Sequence, residues 1–291
     1  MVRELSLEQQ DIKLSCDVLK VSRSGYYDWL NRPVSDRKLA NEKLAEKIKL
    51  HWQNSRQTYG LPRLHEKLKS DGFNVGKNRV QRIMRQNKIQ GRGHKKFKFM
   101  TTDSNHKLPI ASRVFKTENH ESQVTRLNQY WAGDITYIKT KEGFLYLSVF
   151  LDLFSRKVVG HATSDTMTCD LVIESLDMGL KHQGLTTVTD LTAHSDRGSQ
   201  YAAEQFRDKL SAHKITASMS RKGNCYDNAF VESFFRTLKV ALIYENKFKT
   251  KAEARAAIFE FIEVWYNRQR IHSSLDYMTP IEYEAKHQIA A

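Results

Sequence analysis

The stretch that decides the fold runs from Trp131 to Lys139, WAGDITYIK, read with LTAHSDRGSQY at 191–201 and YDNAFVESFFRTLK at 226–239. Side chains of a strand alternate, so Trp131, Gly133, Ile135 and Tyr137 share one face and Ala132, Asp134, Thr136 and Ile138 the other. A carboxylate in the middle of such a strand is costly unless something pairs with it, and a cation is one such partner. Taken alone, Asp134 reads equally as a buried, hydrogen-bonded aspartate. Asp196 falls just past another strand, in the turn HSDRGSQ, where ligands of open sheets collect and where Gly198 is expected to let the chain bend sharply. Taken alone, it reads as a helix cap. Glu232 lies inside a helix that starts near Asp227, with Arg236 and Lys239 at i+4 and i+7 on the same face; an exposed Glu232–Arg236 salt bridge is the plainer reading there. Thirty-five residues separate Asp196 from Glu232.

Outward from these segments, the pattern predicts strands at 130–140, 144–152, 156–163, 188–194 and 215–219, the second buried on both faces. Helices are predicted at 170–182, 202–212, 227–243 and 251–268. Three sequential strands followed by alternating helices and strands describe an α/β fold, a mixed five-stranded sheet with flanking helices, in the order of the ribonuclease-H-like fold. We place this core at 122–245 and a C-terminal helical extension at 246–291.

The N-terminal half reads as all-α. Residues 1–35 form a helical segment in which Tyr26, Tyr27, Trp29 and Leu30 read as core, ending at Pro33. Residues 36–90 read as a helix-turn-helix-like region, with Asp36 as N-cap and Ala40, Leu44, Ile48 and Trp52 as an apolar stripe. Pro62 begins the next helix, with Leu61, Leu64 and Leu68 inward. In the last helix Val80, Ile83 and Met84 face one way and Arg79, Arg82 and Arg85 face solvent, as a groove-reading helix would. Residues 91–121 read as a glycine-loosened basic linker, GRGHKKFK at its start, whose Lys95 and Lys96 are expected to lie along phosphates.

The net charge is +14, and residues 1–130 hold 27 Lys and Arg against 13 Asp and Glu, while the rest of the chain holds 20 of each. Charge so concentrated points to a polyanion partner, because neutralising phosphates releases counterions. Three scattered cysteines, Cys16, Cys169 and Cys225, form no CxxC pair and argue against a disulfide framework. No signal peptide or membrane-spanning run is recognised, so a cytoplasmic protein is expected.

The three carboxylates can converge without long loops, and together they suit hard divalent cations, which take few carboxylates plus water and phosphate oxygens. Two such ions would serve an in-line displacement at phosphorus. The chain resembles the OrfB transposase of the bacterial insertion-sequence-three family, whose catalytic core is shared with retroviral integrases. The resemblance is carried by Tyr59-Gly60, WAGDITYI, FLDLFSRKVVG, HSDRGSQY, the 35-residue gap, YDNAFVESFFRTLK and YNRQRIHSSLDYMTP. It implies that Asp134, Asp196 and Glu232 are the DDE ligands of Mg²⁺, with Mn²⁺ substituting, and that Lys239 contacts the transposon end, with Arg236 beside it. It also implies metal-dependent strand cleavage and strand transfer on double-stranded DNA at transposon ends and target. A homo-oligomer on DNA and a first-frame OrfA product, separate or fused by frameshifting, are the implied partners. The chain departs from relatives at Pro62, and it has no His/His/Cys/Cys array, so zinc is not expected. Two other readings stand beside this one: a ribonuclease-H-like nuclease that cuts without joining, and an inactive DNA-binding relic.

Overall fold

The computed structural model describes residues 12–93, 108–114, 124–185, 190–220 and 229–288. The chain forms two compact units, 1–48 and 49–291. In the first, α1 (Ile12–Val18) and α2 (Arg23–Asn31) bury Cys16 and Tyr26, and Ser22 caps α2 by accepting from the Gly25 N–H at 3.0 Å. Tyr27, Trp29 and Leu30 stay exposed, contrary to their reading as core, because two such short helices offer little surface to bury them. Helix α3 (Asp36–Asn54) is capped by Ser35, which accepts from Lys38 through its carbonyl at 2.8 Å and its hydroxyl at 3.4 Å; Asp36 is the first helical residue rather than the cap.

In the second unit, α4 (Leu61–Ser70) carries Pro62 in its first turn, where a missing N–H costs nothing. Leu64 and Leu68 pack with Val80, Ile83 and Met84 of α5 (Lys77–Gln86). The Trp52 indole N–H donates to the Gln90 carbonyl at 2.8 Å and closes the bundle. Gly91 is a point of close packing rather than of looseness: a Cβ there would meet the Gly60 nitrogen at 3.0 Å.

The sheet is ordered β3-β2-β1-β4-β5. Strands β1 (Tyr130–Thr140), β2 (Gly143–Asp152) and β3 (Val158–Ser164) form an antiparallel meander, and β4 (Thr192–Ser195) and β5 (Thr216–Met219) add in parallel beside β1. Its two faces have separate cores. Trp131 and Ile135 pack with α6 (Cys169–His182) and α8 (Glu204–Ala212), while Ala132 and Ile138 pack with α9 (Ala229–Ala241) and the C-terminal helices. The helix expected at 202–212 is preceded by a short one, α7 (Ser199–Ala202), because Ala203 is extended, with φ −60° and ψ 144°.

The C-terminal helix begins as α10 (Lys251–Phe259) and widens into a π-helical stretch, Glu260–Tyr266, rather than continuing as α-helix to Arg268. That stretch buries Phe261, Ile262, Trp265 and Tyr266 together. It also delivers Asn267 to β3, where its amide exchanges two 3.0 Å hydrogen bonds with the Val158 backbone. A last helix, α11 (Pro280–Gln288), follows.

Candidate active site

Strands β1 and β4 run parallel, and their last pair is Gly133 with Ser195. The next residue on each is an aspartate, Asp134 and Asp196. Neighbouring strands lie about 4.8 Å apart, so backbone register alone sets these carboxylates side by side where β4 ends and β1 continues. Asp196 Oδ1 accepts from the Gly198 N–H at 2.9 Å. Gly198 has φ −62°, which any residue adopts, so the expected sharp bend is not what calls for glycine. Proximity does: a Cβ there would stand 3.1 Å from both Asp196 Oδ1 and Gln200 Oε1.

Asp134 keeps some solvent contact although protein surrounds it closely. Burial holds its carboxyl well above the usual carboxylate range, the charges of Asp196 and Glu232 push it further, and the Ile135 N–H and Lys239 pull back. A second buried aspartate on the same sheet shows what a purely structural one looks like. Asp152 accepts from the backbone of Asn128, Phe154 and Ser155 and from the Ser155 hydroxyl, at 2.7–3.1 Å. Among the described residues, Asp134 accepts one hydrogen bond, from its neighbour Ile135 at 2.8 Å. Asp134 is thus a carboxylate under repulsion with its lone pairs largely unused, which is the donor chemistry a hard cation needs.

Glu232 stands exposed in the first turn of α9. Burial raises its pKa and the Arg236 guanidinium lowers it. Lys239, half-buried seven residues on, has its pKa lowered by burial while the charge of Asp134 raises it. A cavity of about 20 Å³ opens between Asp134, Asp196, Gly198, Gln200 and Tyr201, room for one small ion or water. The Tyr201 phenol is buried there, and its pKa is pushed well up by burial and then by Asp134 and Asp196. Among the described residues no three His, Cys, Asp or Glu side chains close around a single ion. The arrangement is a tight pair, Asp134 and Asp196, with Glu232 close enough to act on Asp134 electrostatically. Such a set suits ions that keep several waters.

The basic candidates divide. Arg82 and Arg85 are exposed on α5, whereas Arg79 is half-buried and has a polar interaction of its own. Lys95 and Lys96 lie outside the described residues. Gln200 and Tyr201 were not foreseen as lining the site, although they close the same HSDRGSQY motif. Among the described residues no helix is long and apolar enough to cross a membrane.

The family described as "Integrase core domain" matches residues 124–225, a second family of that description matches 213–280, and "HTH-like domain" matches 39–97. The chain is 41% identical over 277 residues to an "Insertion element IS600 uncharacterized 31 kDa protein" of Shigella sonnei, covering 95% of this chain and all of that one. It is 37% identical over 277 residues to "Transposase InsF for insertion sequence IS3A" of Escherichia coli (strain K12), covering 94% of each. Among solved structures, the intasome of simian T-cell lymphotropic virus in complex with PP2A regulatory subunit B56 gamma aligns with TM-score 0.46 and 18% identity, over 82% of this chain and 74% of that one. The HTLV-2 integrase catalytic core domain in complex with magnesium aligns with TM-score 0.41 and 17% identity, over 55% and 99%.

Proposed function

Because the chain belongs to the insertion-sequence-three (IS3) family of transposases, with an integrase core and a helix-turn-helix-like region, we propose that it cleaves DNA at the ends of its element and joins the freed strands to a target. Asp134, Asp196 and Glu232 would hold the divalent metal. A pair of Mg²⁺ ions, or Mn²⁺ in its place, would activate the attacking oxygen and stabilise the leaving one. The observation that carries this reading is the β1–β4 register, which sets Asp134, with one hydrogen bond of its own, beside Asp196 and within electrostatic reach of Glu232. Asp134 is anchored in β1 and Asp196 follows directly on β4, so they position; Glu232, on the exposed face of α9, completes the set from the side. Lys239 offers a cation beside the carboxylates for a backbone phosphate, and Arg82 and Arg85 offer further ones on α5. A first-frame OrfA product and further copies of the chain on DNA complete the proposed assembly, in the bacterial cytoplasm.

The test is a branched DNA that mimics a joined product, incubated with Mn²⁺ or Mg²⁺ and either wild type or Glu232→Gln. Metal-dependent resolution by wild type and its loss in the variant are expected. Activity that survives Glu232→Gln sinks the assignment, and cleavage without any joined product in the forward reaction would make the protein a nuclease.

A further inference from the structure

A second charged cluster lies on the next strip of α9. Ser233 and Thr237, on the same helix as Glu232, line a cavity of about 220 Å³ with Arg63 of α4, Arg156 of the β2–β3 turn, and Arg270 and His272 of the tail. Ser273 and Ser274 add hydroxyls at its mouth. Among the described residues no carboxylate lines it. Arg270 is almost wholly buried, and among the described residues its Nε has no hydrogen-bond partner; the buried Nη1 of Arg156 and Nε2 of His272, on residues that are themselves only partly buried, have none either. Part of each guanidinium is engaged. Arg63 Nε donates to the Ile271 carbonyl at 3.0 Å, an Arg270 Nη reaches Thr58 Oγ1 at 3.4 Å, and Arg156 lies 3.8 Å above the Phe230 ring. These contacts fix the orientation of the cations; the charge of Asp152 acts on Arg156, but the lone pairs of Asp152 are taken by the Asn128, Phe154 and Ser155 donors. The mutual effect is plain: burial and then Arg63 bring the Arg270 pKa down to about 10, and burial with all three arginines holds His272 well below the usual imidazole range.

Buried like charges with unused donors are costly unless an anion completes them. Guanidinium forks with hydroxyls beside them match the oxygens of a phosphate. We propose that this cavity is a phosphate-binding site, separate from the carboxylate site, which takes a phosphate group from a DNA backbone or a free phosphate ion. The backbone source rests on the function proposed above and is favoured by position: Thr237 is five residues, about 7.5 Å along the helix axis, from Glu232.

The experiment uses the full chain without divalent metal, so the outcome does not depend on strand chemistry. Thermal unfolding is followed while inorganic phosphate replaces chloride at constant ionic strength, for wild type, Arg270→Gln and Ser233→Glu. A saturable rise in Tm is expected for wild type and its loss in both variants. Ser233→Glu, whose carboxylate stands in for the anion, should unfold at or above the wild-type temperature, which keeps the test valid should Arg270→Gln fail to fold. Binding of a labelled duplex across a salt series then identifies the source. A salt slope lowered by about one unit in Ser233→Glu places a DNA phosphate in the cavity; an unchanged slope with the phosphate response lost assigns it to free phosphate. A wild-type Tm that ignores phosphate, or a response equal in all three proteins, overturns the proposal.

Discussion

Helix α9 carries two clusters of opposite sign on adjoining strips. One joins Glu232 to Asp134 and Asp196; the other sets Ser233 and Thr237 beside Arg63, Arg156 and Arg270. Both gather like charges in partly buried surroundings, which a fold tolerates only when a ligand or a satisfied hydrogen-bond network compensates them. Asp152, with its full set of donors, is the compensated case, and neither Asp134 nor the arginine cluster resembles it. The clusters differ in how they are held. Two of the acidic residues are fixed by the register of central strands, whereas the arginines come from a helix, a turn and a tail that meet only on folding. The sign of each cluster names the ligand chemistry, and the way it is held says what will disturb it.

The sharpest break between them is Asp196→Asn. Cleavage and joining should fall by a factor on the order of 10³ or more, the loss of several kcal/mol of metal-dependent stabilisation. The same variant should keep its response to phosphate in thermal unfolding, because the arginine cavity is untouched. Loss of both responses in a folded variant would mean the clusters form a single site.

Next in size is Tyr59→Phe, which attacks the scaffold of the basic cluster alone. The buried Tyr59 hydroxyl accepts from the Ile271 N–H at 2.8 Å, tying the α4 region to the segment that carries Arg270. Removing it leaves a buried donor unsatisfied, at a cost of about 1–3 kcal/mol. Urea unfolding should show that loss, and a change within error would mean that water replaces the hydroxyl.

The acidic cluster was largely legible in the sequence and the basic one was not. Asp134, Asp196 and Glu232 each sit in a continuous motif, and the parallel addition of β4 beside β1 brings the first two together, with Glu232 acting on Asp134 from α9. Arg63 and Arg270, by contrast, lie in motifs at opposite ends of the chain, and each reads as an ordinary surface cation until Tyr59 and Ile271 bring them together. The π-helical turn that sets Tyr266 and Asn267 is equally hidden, since Phe261, Ile262, Trp265 and Tyr266 fit an α-helical stripe as well. At Gly198 the sequence suggests a conformational need, whereas the constraint is the space beside Asp196.

A smaller effect comes from His272, whose ring packs on Tyr266 and is faced by Arg63, Arg156 and Arg270. Its pKa is depressed on folding, first by burial and then by those arginines. Below about pH 6.5 the unfolded chain therefore takes up a proton that the native one refuses, and stability falls with pH by up to ~1.4 kcal/mol per unit. Urea midpoints at pH 7, 6 and 5 should show this decline in wild type and a flatter one in His272→Gln. Equal slopes would mean that His272 is accessible to solvent protons in the native state.

The smallest expected change separates the cavity from the exposed cations of α5. Val80, Ile83 and Met84 anchor that helix, so Arg82, which is exposed, can be cut to alanine with a change in stability within about 0.5 kcal/mol. If Arg82 meets a DNA phosphate, Arg82→Ala lowers the salt slope of duplex binding by about one unit and weakens all sequences alike. Arg79, half-buried and already engaged, should instead register mainly as lost stability when truncated. A salt series unchanged by Arg82→Ala but altered by Ser233→Glu would make α5 a solvated face and move the phosphate contact to the arginine cavity; the reverse result would leave α5 holding the DNA and the cavity holding a free ion.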